Sequence, residues 1–175
     1  STYTYALLLS LADLSIEKGF DDSSSLVLSS REIAEKFIQL YWKQANPFPS
    51  TSGSKKVLLQ NTSRQAAIVK NIVAIFSATS SRYSELTGSP RNHGKLITEV
   101  SNVVKKMPLW KLQRIGNEVD DFLYEQAEGA NKIVLKKGVV FCFRRFYRQI
   151  YSMVQDSWVQ KIREISKNKP LLGQN

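Results

Sequence analysis

Arg144, Arg145 and Arg148 carry the densest chemistry in the chain. On a helix, residues three and four apart share a surface, so these guanidinium groups can present one cationic face. Tyr147 and Tyr151 lie beside them as further donors. Such a face suits contact with the phosphate backbone of a nucleic acid, although a solvated helix face, or an arginine anchoring the acids of Glu118 to Glu128, is the plainer alternative. Between Lys132 and Lys169 ten cations stand against two acids, Asp156 and Glu164, a net +8 of the chain's formal +10. The preceding residues are nearly balanced. One strongly cationic element on an otherwise ordinary sequence points to a polyanion, with double-stranded DNA as the first candidate.

A second cluster is Gln60-Asn61-Thr62-Ser63-Arg64-Gln65. The sequence predicts that it opens a helix running from Thr62 or Ser63 to Ala78. Amide and guanidinium side chains there can read base edges, and free N–H groups there can hold a phosphate. Simple capping by Asn61, Thr62 or Ser63 is the structural alternative. Arg91 and His93 share a predicted loop, Thr79 to Gly94. Lys111 and the Lys136-Lys137 pair complete the expected DNA contacts, so the candidate residues are Gln60, Asn61, Ser63, Arg64, Gln65, Arg91, His93, Lys111, Lys136, Lys137, Arg144, Arg145 and Arg148.

Catalytic patterns are sparse. One histidine and one cysteine supply no recognisable zinc-ligand spacing. Neither a phosphate-binding Gly-rich loop nor a nucleophile elbow is present. Asp120-Asp121 with Glu118 and Glu125 could hold a divalent cation, and a metal-dependent nuclease built on Asp120 and Asp121 is therefore an alternative function. A solvated face or turn is the bland reading of the same acids. Cys142 lies in an apolar run and is expected in the core. The expectation is a chain without catalysis and without a cofactor of its own.

The elements that position these residues follow from periodicity. Leu7, Leu8, Leu11 and Leu14 predict a buried helix over Tyr5–Ile16. Leu26-Val27-Leu28 predicts a strand, and Ser29 or Ser30 caps a helix whose stripe is Ile33, Phe37 and Tyr41. Pro47 ends that helix by Asn46, and Phe48 to Lys56 reads as a mobile Pro/Ser/Gly loop. Leu96, Val100 and Val103 predict a helix over Lys95–Lys106, closed by Pro108. Leu109 to Tyr124 suits either short helices or strands. Ile133-Val134-Leu135 predicts a strand and Lys136-Lys137-Gly138 a turn. Phe143, Phe146, Ile150, Val154, Trp158, Ile162 and Ile165 then predict one helix from Val139 to Ser166, about 40 Å long. Trp42, Trp110 and Trp158 are expected as core anchors. A helix-turn-helix is excluded in its strict form, because some seventeen residues separate the second and third helices.

At 175 residues, 42% hydrophobic and 23% charged, the composition is that of one globular domain. The expected fold class is mostly α with minor β. It comprises a single compact helical domain over 1–169, a long C-terminal helix, one or two short strand pairs, and the start of a linker at 170–175. No apolar run approaches a membrane span, so no membrane partner is expected. One cysteine and an apolar start lacking a basic flank predict a cytoplasmic protein. A start at Ser1 and a stop at Leu171-Leu172-Gly173-Gln174-Asn175 predict a piece of something longer. A protein-interaction or dimerisation domain, with the last helix's apolar stripe pairing two copies as a homodimer, is the rival from another class.

Several blocks resemble the N-terminal region that precedes the HNH nuclease domain in a group of bacterial HNH endonucleases of restriction or defence type. They are the segments Ser29 to Trp42 (SSREIAEKFIQLYW), Leu58 to Ile68 (LLQNTSRQAAI), Met107 to Gln113 (MPLWKLQ) and Gly138 to Phe146 (GVVFCFRRF). Together they cover most of the chain. In that family a Cys/His-rich nuclease domain follows a segment like Pro170-Leu171-Leu172-Gly173. The resemblance thus implies a DNA-recognition domain here, a covalently linked nuclease domain beyond it, and a divalent metal only in that nuclease domain. Pro108 to Gln113, with the apolar first helix, also looks like the phosphorothioate- or modified-base-reading domains fused to other HNH nucleases. Those grip DNA in an apolar pocket rimmed by Arg, His, Tyr and Pro; Pro90, Arg91 and His93 share a predicted loop here but do not align with that pocket.

Overall fold

The computed structural model describes residues 1–21, 24–49, 55–79, 81–116, 118–127 and 131–173. The fold is mostly α with minor β. Helix α1 (Tyr3–Lys18) is its centre, with Leu7, Leu9, Leu11, Ala12 and Leu14 all buried. Burial on nearly every side explains why its serines are satisfied internally: Ser10 and Ser15 donate to the carbonyls of Ala6 and Leu11.

Strand β1 (Leu26–Ser29) leads directly into α2 (Ser30–Trp42). Ser29 caps α2 as expected: its hydroxyl accepts from the Glu32 amide, and the Glu32 carboxylate accepts from the Ser29 amide at 2.8 Å. Ile33, Phe37 and Tyr41 are buried along the predicted stripe. A single 3₁₀ turn, Lys43–Ala45, follows. The predicted loop from Phe48 to Lys56 contains a two-residue strand pair, β2 (Phe48–Pro49) with β3 (Lys55–Lys56); its central residues 50–54 lie outside the described residues.

Helix α3 runs Ala67–Thr79, α4 Tyr83–Thr87, α5 Pro90–Lys106 and α6 Pro108–Lys111. Proline opens both α5 and α6, where its missing N–H has no helical partner to lose. Helix α5 therefore starts five residues before the sequence-based expectation. The ambiguous stretch after α6 resolves into a hairpin, β4 (Arg114–Ile115) with β5 (Glu118–Val119), and a strand β6 (Tyr124–Ala127). Strand β7 (Lys132–Leu135) lies between β1 and β6 in an antiparallel sheet. Leu28 faces Ile133 and Tyr124 faces Leu135 in register. These side chains are buried while Val27 is exposed, so one sheet face packs on the helices.

The last predicted helix is two helices. Helix α7 (Lys137–Arg145) ends at Phe146, whose φ of −111° and ψ of 25° lie off the helical values, and α8 (Tyr147–Glu164) resumes at once. The expected Lys136–Gly138 turn is accordingly the start of α7, with extended Lys136 before it. Phe146 is 47% exposed rather than part of the stripe. The break lets α7 and α8 each lie against α1. Gly19 permits that approach: a Cβ there would meet the Ser15 carbonyl at 2.4 Å and Val140 Cγ1 at 3.1 Å. Cys142 is exposed, because the inward face of α7 is made by Val139, Val140 and Phe143. Pro170 to Leu172 continue a 3₁₀ helix, Ser166–Leu172. Among the described residues, no helix is long and apolar enough to cross a membrane.

Candidate nucleic-acid interface

The candidate residues fall into separate places. Arg144 is a structural residue. Its Nη1 donates to the carbonyls of Ser15 and Ile16 at 3.0 and 3.1 Å, and its Nε donates to Asp21 at 3.0 Å. A guanidinium thus closes the C-terminal end of α1, where unpaired carbonyls and the helix dipole favour a cation. Asp21, not the acids around Glu118, is its anionic partner; Glu128 of that acidic segment lies outside the described residues. Arg145 and Arg148 are exposed, but they flank the Phe146 break. The three arginines therefore do not lie on one unbroken helix.

The Gln60–Gln65 segment is not a helix start. It is an irregular turn before α3, and its two glutamines hold the turn together. Gln65 Oε1 accepts from the amides of Gln60 and Ala66 at 3.1 and 2.9 Å, and Gln65 Nε2 donates to the Leu58 carbonyl. Gln60 is buried, and its Oε1 accepts from Trp158 Nε1 at 2.9 Å. These two side chains are committed to the fold. Ser63 and Arg64 are exposed at the apex. The Asn61 amide oxygen is buried without a partner among the described residues.

Around that apex the fold assembles cations that the sequence scatters. Asn61, Ser63, Arg64, Ser1, Tyr3 and Lys70 line one hollow of about 540 Å³ that has no carboxylate in its wall among the described residues. Lys167 Nζ donates to the Ser63 carbonyl at 3.3 Å. The amino group of Ser1 is held below its usual pKa by burial first, then by the positive charges of Lys161 and Lys111. Arg64, Lys70, Lys111, Lys161 and Lys167 therefore surround the N-terminal end of α1. Only Lys161 among the five has a carboxylate partner among the described residues, Glu164 at 3.2 Å. Lys70, Lys161 and Lys167 are absent from the sequence-based candidates; the place of Lys70 on the solvent side of α3, between buried Val69 and Ile72, was the available signal for it, and the cationic C-terminal stretch for the other two.

This cluster and the arginine end are separated by the length of α1, sixteen residues, or about 24 Å. Arg91 and His93 form neither group. They lie in the first turn of α5 rather than in a loop. Arg91 is exposed, and His93 Nε2 lies 3.6 Å from a Glu35 oxygen, beyond hydrogen-bonding distance. Lys136 and Lys137 sit at the start of α7, and the Lys136 amide donates to the Leu123 carbonyl at 3.0 Å.

The acidic group is spread over β5, the following turn and β6. Asp121 accepts from Gln113 Nε2 at 3.2 Å. Among the described residues no three side chains of ligand type converge on a common point. Two tryptophans are core residues as expected, Trp42 and Trp158. Trp110 is half exposed, with the Arg114 guanidinium 4.3 Å above its ring.

Comparison with protein-family models, with curated proteins and with solved structures finds no match to this chain.

Proposed function

We propose that this chain is a DNA-docking module, the recognition part of an HNH-type restriction endonuclease, and that it performs no catalysis itself. The observation that carries the DNA-binding part is the hollow at the N-terminal end of α1, whose described wall holds Arg64 and Lys70 and no carboxylate, with Lys167 bonded to the Ser63 carbonyl and Lys111 and Lys161 acting on the nearby Ser1 amine. The nuclease part rests on the sequence resemblance alone. Docking is electrostatic: each cation placed on a phosphate releases a condensed counterion, and oriented donors such as Ser63 fix the register. The cationic C-terminal region contributes through Lys161 on α8 and Lys167 beyond it. Arg145 and Arg148 lie too far away to share the same phosphates and act as outlying contacts.

The test is duplex binding by fluorescence anisotropy at several salt concentrations. Five phosphate contacts give a slope of log K against log salt of about −4.5, hence an affinity loss of ~500-fold over a fourfold rise in salt. Arg64→Ala/Lys70→Ala/Lys167→Ala reduces the slope by about 2.7, and Arg145→Ala/Arg148→Ala reduces it less. A folded protein that does not bind duplex at low salt overturns the proposal.

A second reading is a protein-interaction domain. The stripe expected to pair two copies is spent internally, since Ile150, Val154, Trp158 and Ile162 pack on the core. A different patch favours this reading: Ile16, Phe20 and Phe141 line one shallow hollow and are 43%, 70% and 50% exposed. Sedimentation separates the readings, since a concentration-dependent dimer lost in Phe20→Ser supports association through that patch.

A further inference from the structure

A second hollow lies against the turn that carries the cationic cluster. It has a volume of about 620 Å³ and is walled by α1, α2, the 3₁₀ turn after α2, the Pro47–Pro49 segment, Gln60 and α8. That volume is in the range of small-molecule sites, roughly 300–1,000 Å³. Its wall is chemically selective. Trp158, Tyr151 and Phe48 supply aromatic surface, and Gln39, Gln44, Asn46, Gln60 and Gln155 supply five amides, yet among the described residues no carboxylate borders it.

Two of these amides have unused capacity. The Gln44 oxygen is buried and has no hydrogen-bond partner among the described residues. Gln60 is held rigidly by Trp158 through its oxygen at 2.9 Å, which leaves its Nε2 donor in the wall. A buried polar group without a partner destabilises the fold, so its retention calls for an explanation. Lys43, exposed beside Gln44, adds a cation to the wall.

We propose that this hollow binds a planar heterocyclic base of a nucleotide. An amide side chain offers an adjacent donor and acceptor, which matches the edge of a base in a paired geometry. Aromatic rings take the π-face of any base. Lys43 can meet the attached phosphate. The lack of carboxylates disfavours a metal ion or an organic cation as occupant. Gln60 borders this hollow while Asn61 to Gln65 line the cationic one, so one short turn joins the two. The base can come from a free nucleotide or from DNA whose base has left the stack; the second source rests on the proposed DNA-docking function, and the first does not.

Two titrations test the proposal with the whole chain. In the first, each of the four deoxynucleoside 5′-monophosphates is added up to about 1 mM, and binding is read by calorimetry. In the second, a duplex carrying 2-aminopurine opposite an abasic site is added, and the probe's emission is read. At least one monophosphate binds, or the 2-aminopurine emission rises, and Gln44→Leu weakens that response by roughly tenfold. The Gln44→Leu protein melts no lower than the parent, because an unpaired buried polar atom has been removed. Monophosphate binding without a 2-aminopurine response assigns the site to free nucleotides; a 2-aminopurine response assigns it to DNA. No response in either titration, or a response unchanged in both Gln44→Leu and Gln155→Ala, overturns the proposal. Anisotropy of a fully paired duplex runs in parallel, so failure of DNA docking and failure of this site are read separately.

Discussion

Arg144 shows how little a residue's type says about its use. Its neighbours in sequence mark it as a phosphate ligand, but it spends its donors on the carbonyl end of α1 and on Asp21. Arg144→Ala should lower stability by about 1–3 kcal/mol, because two helix-end carbonyls lose a charged donor. The expected signature is a lower urea midpoint with the salt slope of DNA binding unchanged; a normal midpoint with a reduced slope would restore the sequence-based role. Glu32 makes a prediction in pH. Burial opposes its ionisation, but Lys18 and the amide and hydroxyl of Ser29 outweigh burial and hold the carboxyl below its ordinary value of 4.5. A carboxyl with a lowered pKa in the folded state contributes stability that is complete above the unfolded value and lost as pH falls through the folded one. Glu32→Gln should therefore cost stability at neutral pH, and the two proteins should converge in thermal melts below that window.

Among the elements, the hairpin region depends on one buried side chain. Gln113 accepts from the amides of Leu123 and Tyr124 and donates to the Tyr124 carbonyl, all within 2.9 Å. A single amide thereby ties the end of α6 to the edge strand β6. Gln113→Ala leaves three backbone groups without partners and should cost about 2–4 kcal/mol, with amide hydrogen exchange rising first at Leu123 and Tyr124. Uniform loss of protection across the chain would instead mean that β6 and the helices unfold as one unit. Asn168 acts in the same way across a longer gap. It pairs with both the amide and the carbonyl of Leu59, at 2.8 and 2.9 Å, and donates to the Ile162 carbonyl. It thus fixes the chain after α8 against the turn that bears Arg64. Such hubs leave no periodic trace, because one polar side chain in an otherwise apolar environment has no pattern of its own.

Across the whole molecule, the sequence by itself determined the helical class, the buried first helix, a serine cap at Ser29 or Ser30, and the strands at Leu26 and Ile133. Those features are local: apolar spacing of two or three to four residues and a capping serine act within a few positions of the chain. It also placed the excess charge near the C terminus. The tertiary structure alone decided which charges meet. Lys70, Lys111 and the Lys161/Lys167 pair are far apart in sequence and come together only because α3, α6, α8 and the closing 3₁₀ helix share one end of α1. The break at Phe146 was also illegible, since the apolar spacing runs through it without a proline or glycine to mark it. There the packing of α7 and α8 on a common partner, made close by Gly19, overrides local helical preference. The amide-lined hollow belongs to this second kind. Its glutamines lie on separate segments, α2, the 3₁₀ turn after it, the Gln60 turn and α8, and only the tertiary fold brings them to a common space.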